Sequence, residues 1–217
     1  MHSFGKRQIL HNISFTCKTG DVVAIFGRNG TGKSTLLKIL FGTLRATKSE
    51  FFIDNNLVEK SAHLNKFFAY HHQEVFLPKN ITVRNLIPLY FPDGEKQNKL
   101  FYDQAINKIE KHKVGVLSIG EQRYLQFLLI LNSDQHFLLL DEPFTMLEPL
   151  YKELTREKIE SHKHNKCFII TDHYYLDVLQ VANIKKLMKD GAMMTVKDEN
   201  DLAKFGYLSS VDNNKRT

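Results

Sequence analysis

Val22-Val23-Ala24-Ile25-Phe26 runs directly into Gly27-Arg28-Asn29-Gly30-Thr31-Gly32-Lys33-Ser34, and this join decides the fold. Five apolar residues in succession read as a strand. The eight that follow fit G-x-x-x-x-G-K-[ST], a Gly-rich loop set between a strand and a helix. In such a loop successive backbone N–H groups converge on an anion, and the helix that follows aims its positive end at the same point. Lys33 is placed to reach the β- and γ-phosphates of a nucleoside triphosphate, and the Ser34 hydroxyl to ligate Mg²⁺.

Outward from this loop the chain alternates strands with helices. Ile13, Phe15 and Cys17 alternate with Ser14 and Thr16, which predicts a half-buried strand closed by a turn at Lys18-Thr19-Gly20-Asp21. After the loop, Leu36, Leu37, Ile39, Leu40 and Phe41 form the apolar set of a helix that stops near Gly42. Phe51-Phe52-Ile53 and Phe67-Phe68-Ala69-Tyr70 read as further strands, with a turn at Asp54-Asn55-Asn56. From about Ile81 to Leu131 the pattern is helical: a short helix ending near Tyr90, an amphipathic Lys-rich helix over 95–113, and an apolar one over 119–131. Phe137-Leu138-Leu139-Leu140 and Cys167-Phe168-Ile169-Ile170 are continuous apolar runs, as strands buried on both faces of a parallel sheet are. Helices over 149–163 and to about Ala182, then strands near 184–188 and 192–196 around Asp190-Gly191, complete the pattern; the polar stretch from Val211 reads as a frayed tail.

The expected architecture is α/β: a parallel-sheet core with helices on its faces, a helical subdomain inserted into it, and a small antiparallel β element. The 217 residues suit one domain, divided into a catalytic core of about 1–79 and 132–200, a helical subdomain of about 80–131 and a tail of about 201–217. In sheets of this kind ligands bind beyond the carboxyl ends of the strands. The Gly-rich loop, Asp141-Glu142 and His173 all follow predicted strands and so share one edge.

Composition narrows the partners. A net charge of +6 suits a nucleotide binder or a protein near anionic lipid, and does not compel nucleic-acid binding. The Lys-rich stretches 96–113 and 152–166 read as solvated helix faces. Cys17 and Cys167 read as buried reduced thiols, and the pairs His71-His72 and His162/His164 as surface or loop histidines without a third metal ligand. No signal peptide is legible at Met1-His2-Ser3-Phe4-Gly5, and no run approaches the ~20 apolar residues of a membrane span, so a soluble, cytoplasmic protein is expected unless a partner tethers it.

Asp141 ends an apolar strand downstream of the loop, as a Mg²⁺-associated carboxylate does, and Glu142 beside it is placed to act as general base on the attacking water. With these residues in view the chain resembles the nucleotide-binding subunits of ABC transporters. Gly27, Asn29, Gly30, Thr31, Gly32, Lys33, Ser34 and Thr35 match the family's phosphate loop, and Gln73 its glutamine loop. Leu117-Ser118-Ile119-Gly120-Glu121 falls where the LSGGQ signature belongs, with Gln122-Arg123 continuing the match. Phe137 to Glu142 match the acidic strand motif, Met146-Leu147-Glu148-Pro149 the loop after it, and Thr171-Asp172-His173 the switch histidine.

The resemblance implies an ATPase of the P-loop NTPase, ABC type with ATP and Mg²⁺ as cofactors. It implies Glu142, His173 and Gln73 as catalytic residues, Ser34, Gln73 and Asp141 around the metal, and Phe4 stacked on adenine. Ser118, Ile119, Gly120 and Glu121 would close over the ATP of a second nucleotide-binding subunit, in a homodimer docked on a transmembrane permease subunit, peripheral to the inner or plasma membrane; no specific nucleic acid is expected. Departures from the pattern are Ile119 for glycine, Glu121 for glutamine, Glu148 for aspartate and Phe4 for tyrosine. A stiff β-branched side chain at 119 is expected to slow hydrolysis. Val75-Phe76-Leu77 and Leu86 to Phe91 supply apolar residues either for permease docking or for the lobe's own core. The alternatives are a soluble non-transport ATPase of the same type and a regulatory module that binds nucleotide without useful turnover.

Overall fold

The computed structural model describes residues 2–4, 7–11, 13–58, 66–173 and 175–207. Two short strands, β1 (His2–Phe4) and β2 (Arg7–Leu10), pair antiparallel with Phe4 opposite Arg7. The apolar run 22–26 is β3 (Val22–Phe26), and the Gly-rich loop leads from it into α1 (Lys33–Phe41). Gly42 ends that helix in the left-handed conformation, its N–H donating to the Ile39 and Lys38 carbonyls. β4 (Phe52–Ile53) and β5 (Asn56–Leu57) form a hairpin whose turn residues Asp54 and Asn55 both have positive φ, the geometry that Asn and Asp tolerate best. After β6 (Phe68–His71) come four helices, α2 (Val83–Tyr90), α3 (Gly94–Phe101), α4 (Gln104–Ile109) and α5 (Ile119–Leu131). β7 (Phe137–Asp141), α6 (Pro149–His162), β8 (Cys167–Thr171), α7 (Tyr175–Leu179), β9 (Ile184–Lys189), β10 (Ala192–Val196) and α8 (Glu199–Lys204) follow.

The central sheet has the order β10-β9-β3-β8-β7-β6. All neighbours are parallel except β9 and β10, which form a hairpin at the edge. Alternation along β3 sends Val22, Ala24 and Phe26 to one face and Val23 and Ile25 to the other, and both faces are buried. The first face packs on α5 through Leu125, Leu128 and Leu129 among others, and on α6 and α7; the second packs on α1 through Leu36, Leu37 and Leu40. Leu139 of β7 is fully buried on the α1 side. Truncating it to Ala is expected to cost about 2–5 kcal/mol, read from the urea midpoint at unchanged slope.

Several expectations are corrected. Residues 13–17 keep the alternating burial that suggested a strand but join no ladder, so the segment is extended coil. The amphipathic stretch 95–113 is two helices, not one. Asp103 interrupts it: its carboxylate caps α4 through the N–H groups of Ala105 and Ile106, and also takes the Tyr124 hydroxyl at 3.1 Å and Lys158 at 2.8 Å. The basic stretch 152–166 is not simply a solvated face, because Lys152 and Arg156 both pair with Asp177 of α7. His71 is not a surface histidine. It is fully buried at the end of β6, neither ring nitrogen meets the hydrogen-bond geometry with a partner among the described residues, and burial, aided by the nearby Arg123 charge, pushes its pKa down to about 3, so the ring is neutral. Cys17 is half-buried and Cys167 buried, both as free thiols.

The apolar stretch beside Gln73 divides between core and surface. Leu77, Leu86, Ile87 and Phe91 are buried, whereas Phe76 is 67% and Leu89 71% exposed. Residues 199–207 turn back onto the phosphate loop: Leu202 is buried, Arg28 donates to the Gly206 carbonyl at 2.8 Å, and the Tyr207 ring lies 5.9 Å from that of Phe26. Among the described residues no helix is long and apolar enough to cross a membrane. The tail from Val211 lies outside the described residues.

Candidate functional site

Parallel strands bring their carboxyl ends to one edge, and there the dispersed motifs meet. Asp141 at the end of β7 is in register with Thr171 at the end of β8, and Ile25 of β3 with the same Thr171. The loop after β3 depends on glycine for space and for backbone conformation. Gly27 and Gly32 have positive φ; a Cβ at Gly27 would lie 2.8 Å from the Met188 carbonyl oxygen, and one at Gly32 2.7 Å from Leu10 Cδ2. Lys33 opens α1 and folds back over the loop, its ammonium donating to the carbonyls of Gly27 at 2.7 Å and Arg28 at 3.2 Å. Burial lowers its pKa, opposed by the charges of Glu142, Asp141 and Asp172.

Asp141 is held by three hydroxyls. Its Oδ1 accepts from Ser34 at 3.1 Å and Thr171 at 2.8 Å, and its Oδ2 from Tyr70 at 2.8 Å. Burial and the adjacent carboxylate raise the Tyr70 pKa, so its hydroxyl keeps its proton and donates. Ser34 and Asp141 are hard oxygen donors at hydrogen-bond distance, a pair that suits Mg²⁺, which takes one or two protein oxygens and fills its shell with phosphate oxygens and water. No cluster of three or more His, Cys, Asp or Glu side chains with metal-binding geometry occurs among the described residues.

Glu142 sits just past the strand with φ of 52°, a conformation that a glutamate rarely adopts. Its N–H donates to the Thr171 carbonyl at 2.7 Å. Its Oε2 accepts from Gln73 Nε2 at 2.9 Å and from the Thr145 hydroxyl at 3.3 Å, and its Oε1 lies 3.4 Å from His173 Nδ1. Gln73, Glu142 and His173, more than thirty residues apart in sequence at the closest, thus converge on one carboxylate. Asp172 is buried beneath them and takes the Phe144 N–H at 3.0 Å.

The signature segment stands apart. Ser118 caps α5, accepting from the Glu121 N–H at 3.1 Å while its own N–H donates to Glu121 Oε2 at 2.7 Å, a reciprocal capping box. No hydrogen bond among the described residues joins Ser118, Ile119, Gly120 or Glu121 to the phosphate loop. Ile119 is the first residue of α5 and 53% exposed, so it is accommodated without distorting its own chain. A Cβ at Gly120 would lie 3.5 Å from the Glu148 carboxylate, which places the Met146-to-Pro149 loop beside the signature. The Phe4 side chain lies outside the described residues. Sequence reasoning missed Tyr70, Thr145 and Thr171 as partners of the two carboxylates. Tyr70 and Thr171 lie at strand ends on the site's edge, and that position was the available signal.

Comparison with known proteins agrees with this geometry. The family model described as ABC transporter matches residues 10–145. The ribose import ATP-binding protein RbsA of Lacticaseibacillus paracasei is 27% identical over 89% of this chain and 42% of its own length. The lantibiotic transport ATP-binding protein SrtF of Streptococcus pyogenes is 27% identical over 90% of this chain and 87% of its own. An ATP-binding cassette solved as a dimer in a post-hydrolysis state with ADP and Pi superposes with a TM-score of 0.74 at 22% identity, over 91% of this chain and 95% of that one. The chain spans between 26% and 42% of the length of several of the curated relatives it matches. With the family model covering more than half of the chain, and the architecture shared with solved cassettes, the protein belongs to the ABC transporter family.

Proposed function

We propose that this chain binds and hydrolyses ATP as the nucleotide-binding subunit of an ABC transporter, closing as a dimer around ATP to power a membrane partner. The observation that carries this reading is the convergence of Gln73, Glu142 and His173 beside Asp141, Ser34 and the phosphate loop. Backbone N–H groups of Gly27 to Thr35 and the N-terminus of α1 hold the β- and γ-phosphates, and Lys33 releases its two loop carbonyls to neutralise them. Asp141 and Ser34, with Gln73 nearby, would hold Mg²⁺, which when bound would neutralise phosphate charge in the transition state. Glu142 takes a proton from the attacking water as its oxygen bonds to the γ-phosphorus and the bond from that phosphorus to the β–γ bridging oxygen breaks, leaving ADP and inorganic phosphate. Gln73 and His173 orient the water and the carboxylate, and His173 meets the γ-phosphate.

Phosphoryl transfer asks mainly for positioning and charge stabilisation, which these residues supply from rigid strand ends. Ser118, Ile119, Gly120 and Glu121 complete the site of a second copy, Phe4 stacks on adenine, and the exposed Phe76 and Leu89 face the permease. In this reading the core of about 1–79 and 132–200 hydrolyses and the subdomain of about 80–131 couples. The protein works on the cytoplasmic side of the membrane through its partner subunit.

Purified chain with Mg²⁺ and ATP is expected to release phosphate slowly, and loss of that release without Mg²⁺ checks the metal's role. Ile119→Gly removes the side chain that intrudes where a partner's phosphate should meet bare backbone, and is expected to raise kcat. Equal turnover of this variant and the parent would contradict the place given to Ile119.

A further inference from the structure

The carboxylate constellation has a support that none of its own members supplies. Arg123, on the second turn of α5, is buried, with 4% of its surface exposed. Among the described residues its guanidinium hydrogen bonds both go to main-chain carbonyls: one nitrogen donates to Gln73 O and another to Glu142 O, the latter at 2.6 Å. Gln73 Nε2 in turn donates to Glu142 Oε2 at 2.9 Å. Arg123 therefore closes a ring that runs through the Gln73 carbonyl and side chain, across to the Glu142 carboxylate, and back through the Glu142 carbonyl. Burial disfavours the guanidinium charge, and the nearby carboxylates of Asp172, Glu142 and Asp141 counter this. Its Nε has no hydrogen-bond partner among the described residues. A buried charge so placed is a poor device for stability.

The backbone it grips is the strained one. Glu142 has φ of 52°, and a bulky residue keeps such a conformation only where its surroundings over-determine it. Thr171 holds the N–H of Glu142 and Arg123 holds its carbonyl. We infer that Arg123 is a positioning residue, which aims the Glu142 carboxylate and Gln73 together and ties both to the helix whose first turn is Ser118 to Gly120. This inference rests on the ATPase reading proposed above.

The test compares the full chain with R123K, R123Q, E142Q and R123Q/E142Q. It measures steady-state kcat and KM for ATP, single-turnover hydrolysis, the affinity for a fluorescent ATP analogue, and melting temperature. R123Q is expected to lower kcat by about 100-fold, the scale set by a misplaced reacting group, with nucleotide affinity kept. R123K, which retains the charge but can reach one carbonyl at a time, is expected to recover part of the rate. A residue acting through Glu142 gives a double variant no slower than E142Q in single turnover. Normal kcat in R123Q, a double variant slower than E142Q, or loss of nucleotide affinity in step with kcat in R123K and R123Q would overturn the inference. Failure of the ATPase reading itself is distinct: it shows as absent turnover in the unmodified chain.

Discussion

Glu142→Gln is expected to lower ATP turnover by about 10²–10⁴-fold, the usual contribution of a positioned general base, while ATP still binds. The amide keeps the shape of the carboxylate and still offers one oxygen to Gln73, whose Nε2 lies 2.9 Å from Glu142 Oε2. What it loses is the capacity to take a proton from water. In the proposed reading ground-state binding belongs to other residues, the phosphate loop and Lys33, so KM and nucleotide affinity are expected to stay near their original values. Phosphate release under saturating ATP, set beside binding of a fluorescent analogue, separates the two effects. A variant with unaltered kcat would remove Glu142 from the role of base.

Lys33→Met is expected to produce the complementary pattern, a loss of ATP affinity of about 100-fold with little change in melting temperature. Hydrogen bonds to charged groups contribute roughly 1.5–3 kcal/mol each, and 1.4 kcal/mol is a factor of ten. Two phosphate contacts from one ammonium therefore account for about two orders of magnitude. The structure makes the change tolerable to the fold, because Lys33 lies at the start of α1 and its ammonium, among the described residues, bonds only its own loop, at Gly27 and Arg28. Lys33 is buried, and Met is an unbranched side chain of similar length that can follow the course of its stem. Titration with the fluorescent analogue measures the loss; affinity within a few-fold of the parent would contradict the assignment.

The sheet was legible in the sequence because its strands are buried on both faces. Val22 to Phe26, Phe137 to Leu140 and Cys167 to Ile170 are unbroken apolar runs, and such runs have few readings once flanked by helical patterns. The phosphate loop and Asp141-Glu142 were picked out by residue types that follow strands, Gln73 and the role of His173 by the family resemblance, and the structure brings these residues together. The misses have a common origin in tertiary contacts that override local pattern. Periodicity could not show that Asp103 would be buried and bonded by Tyr124 and Lys158, so the helix break at 102–103 was hidden. Alternation at 13–17 reported burial, and burial without a neighbouring strand makes no ladder. His71 looked like a polar loop residue and is instead the fully buried end of β6. The carboxylate partners Tyr70, Thr145 and Thr171, and Arg123 on the Glu142 carbonyl, come from separate parts of the chain that only the fold assembles.

The same reasoning explains why the signature segment carries the central claim. Within one chain, Ser118 and Glu121 satisfy each other as a capping box and have no hydrogen bond to the phosphate loop among the described residues, so in the proposed reading a single copy leaves the γ-phosphate uncovered by its own signature. If the site is completed by a second copy, ATP must bring two chains together whenever hydrolysis is blocked. The most direct measurement is the solution mass of the Glu142→Gln variant by light scattering, with and without Mg²⁺ and ATP. The account predicts a shift from monomer to dimer on adding ATP, abolished by Lys33→Met in the same background. A monomer at saturating ATP, with binding confirmed in the same sample, would contradict it.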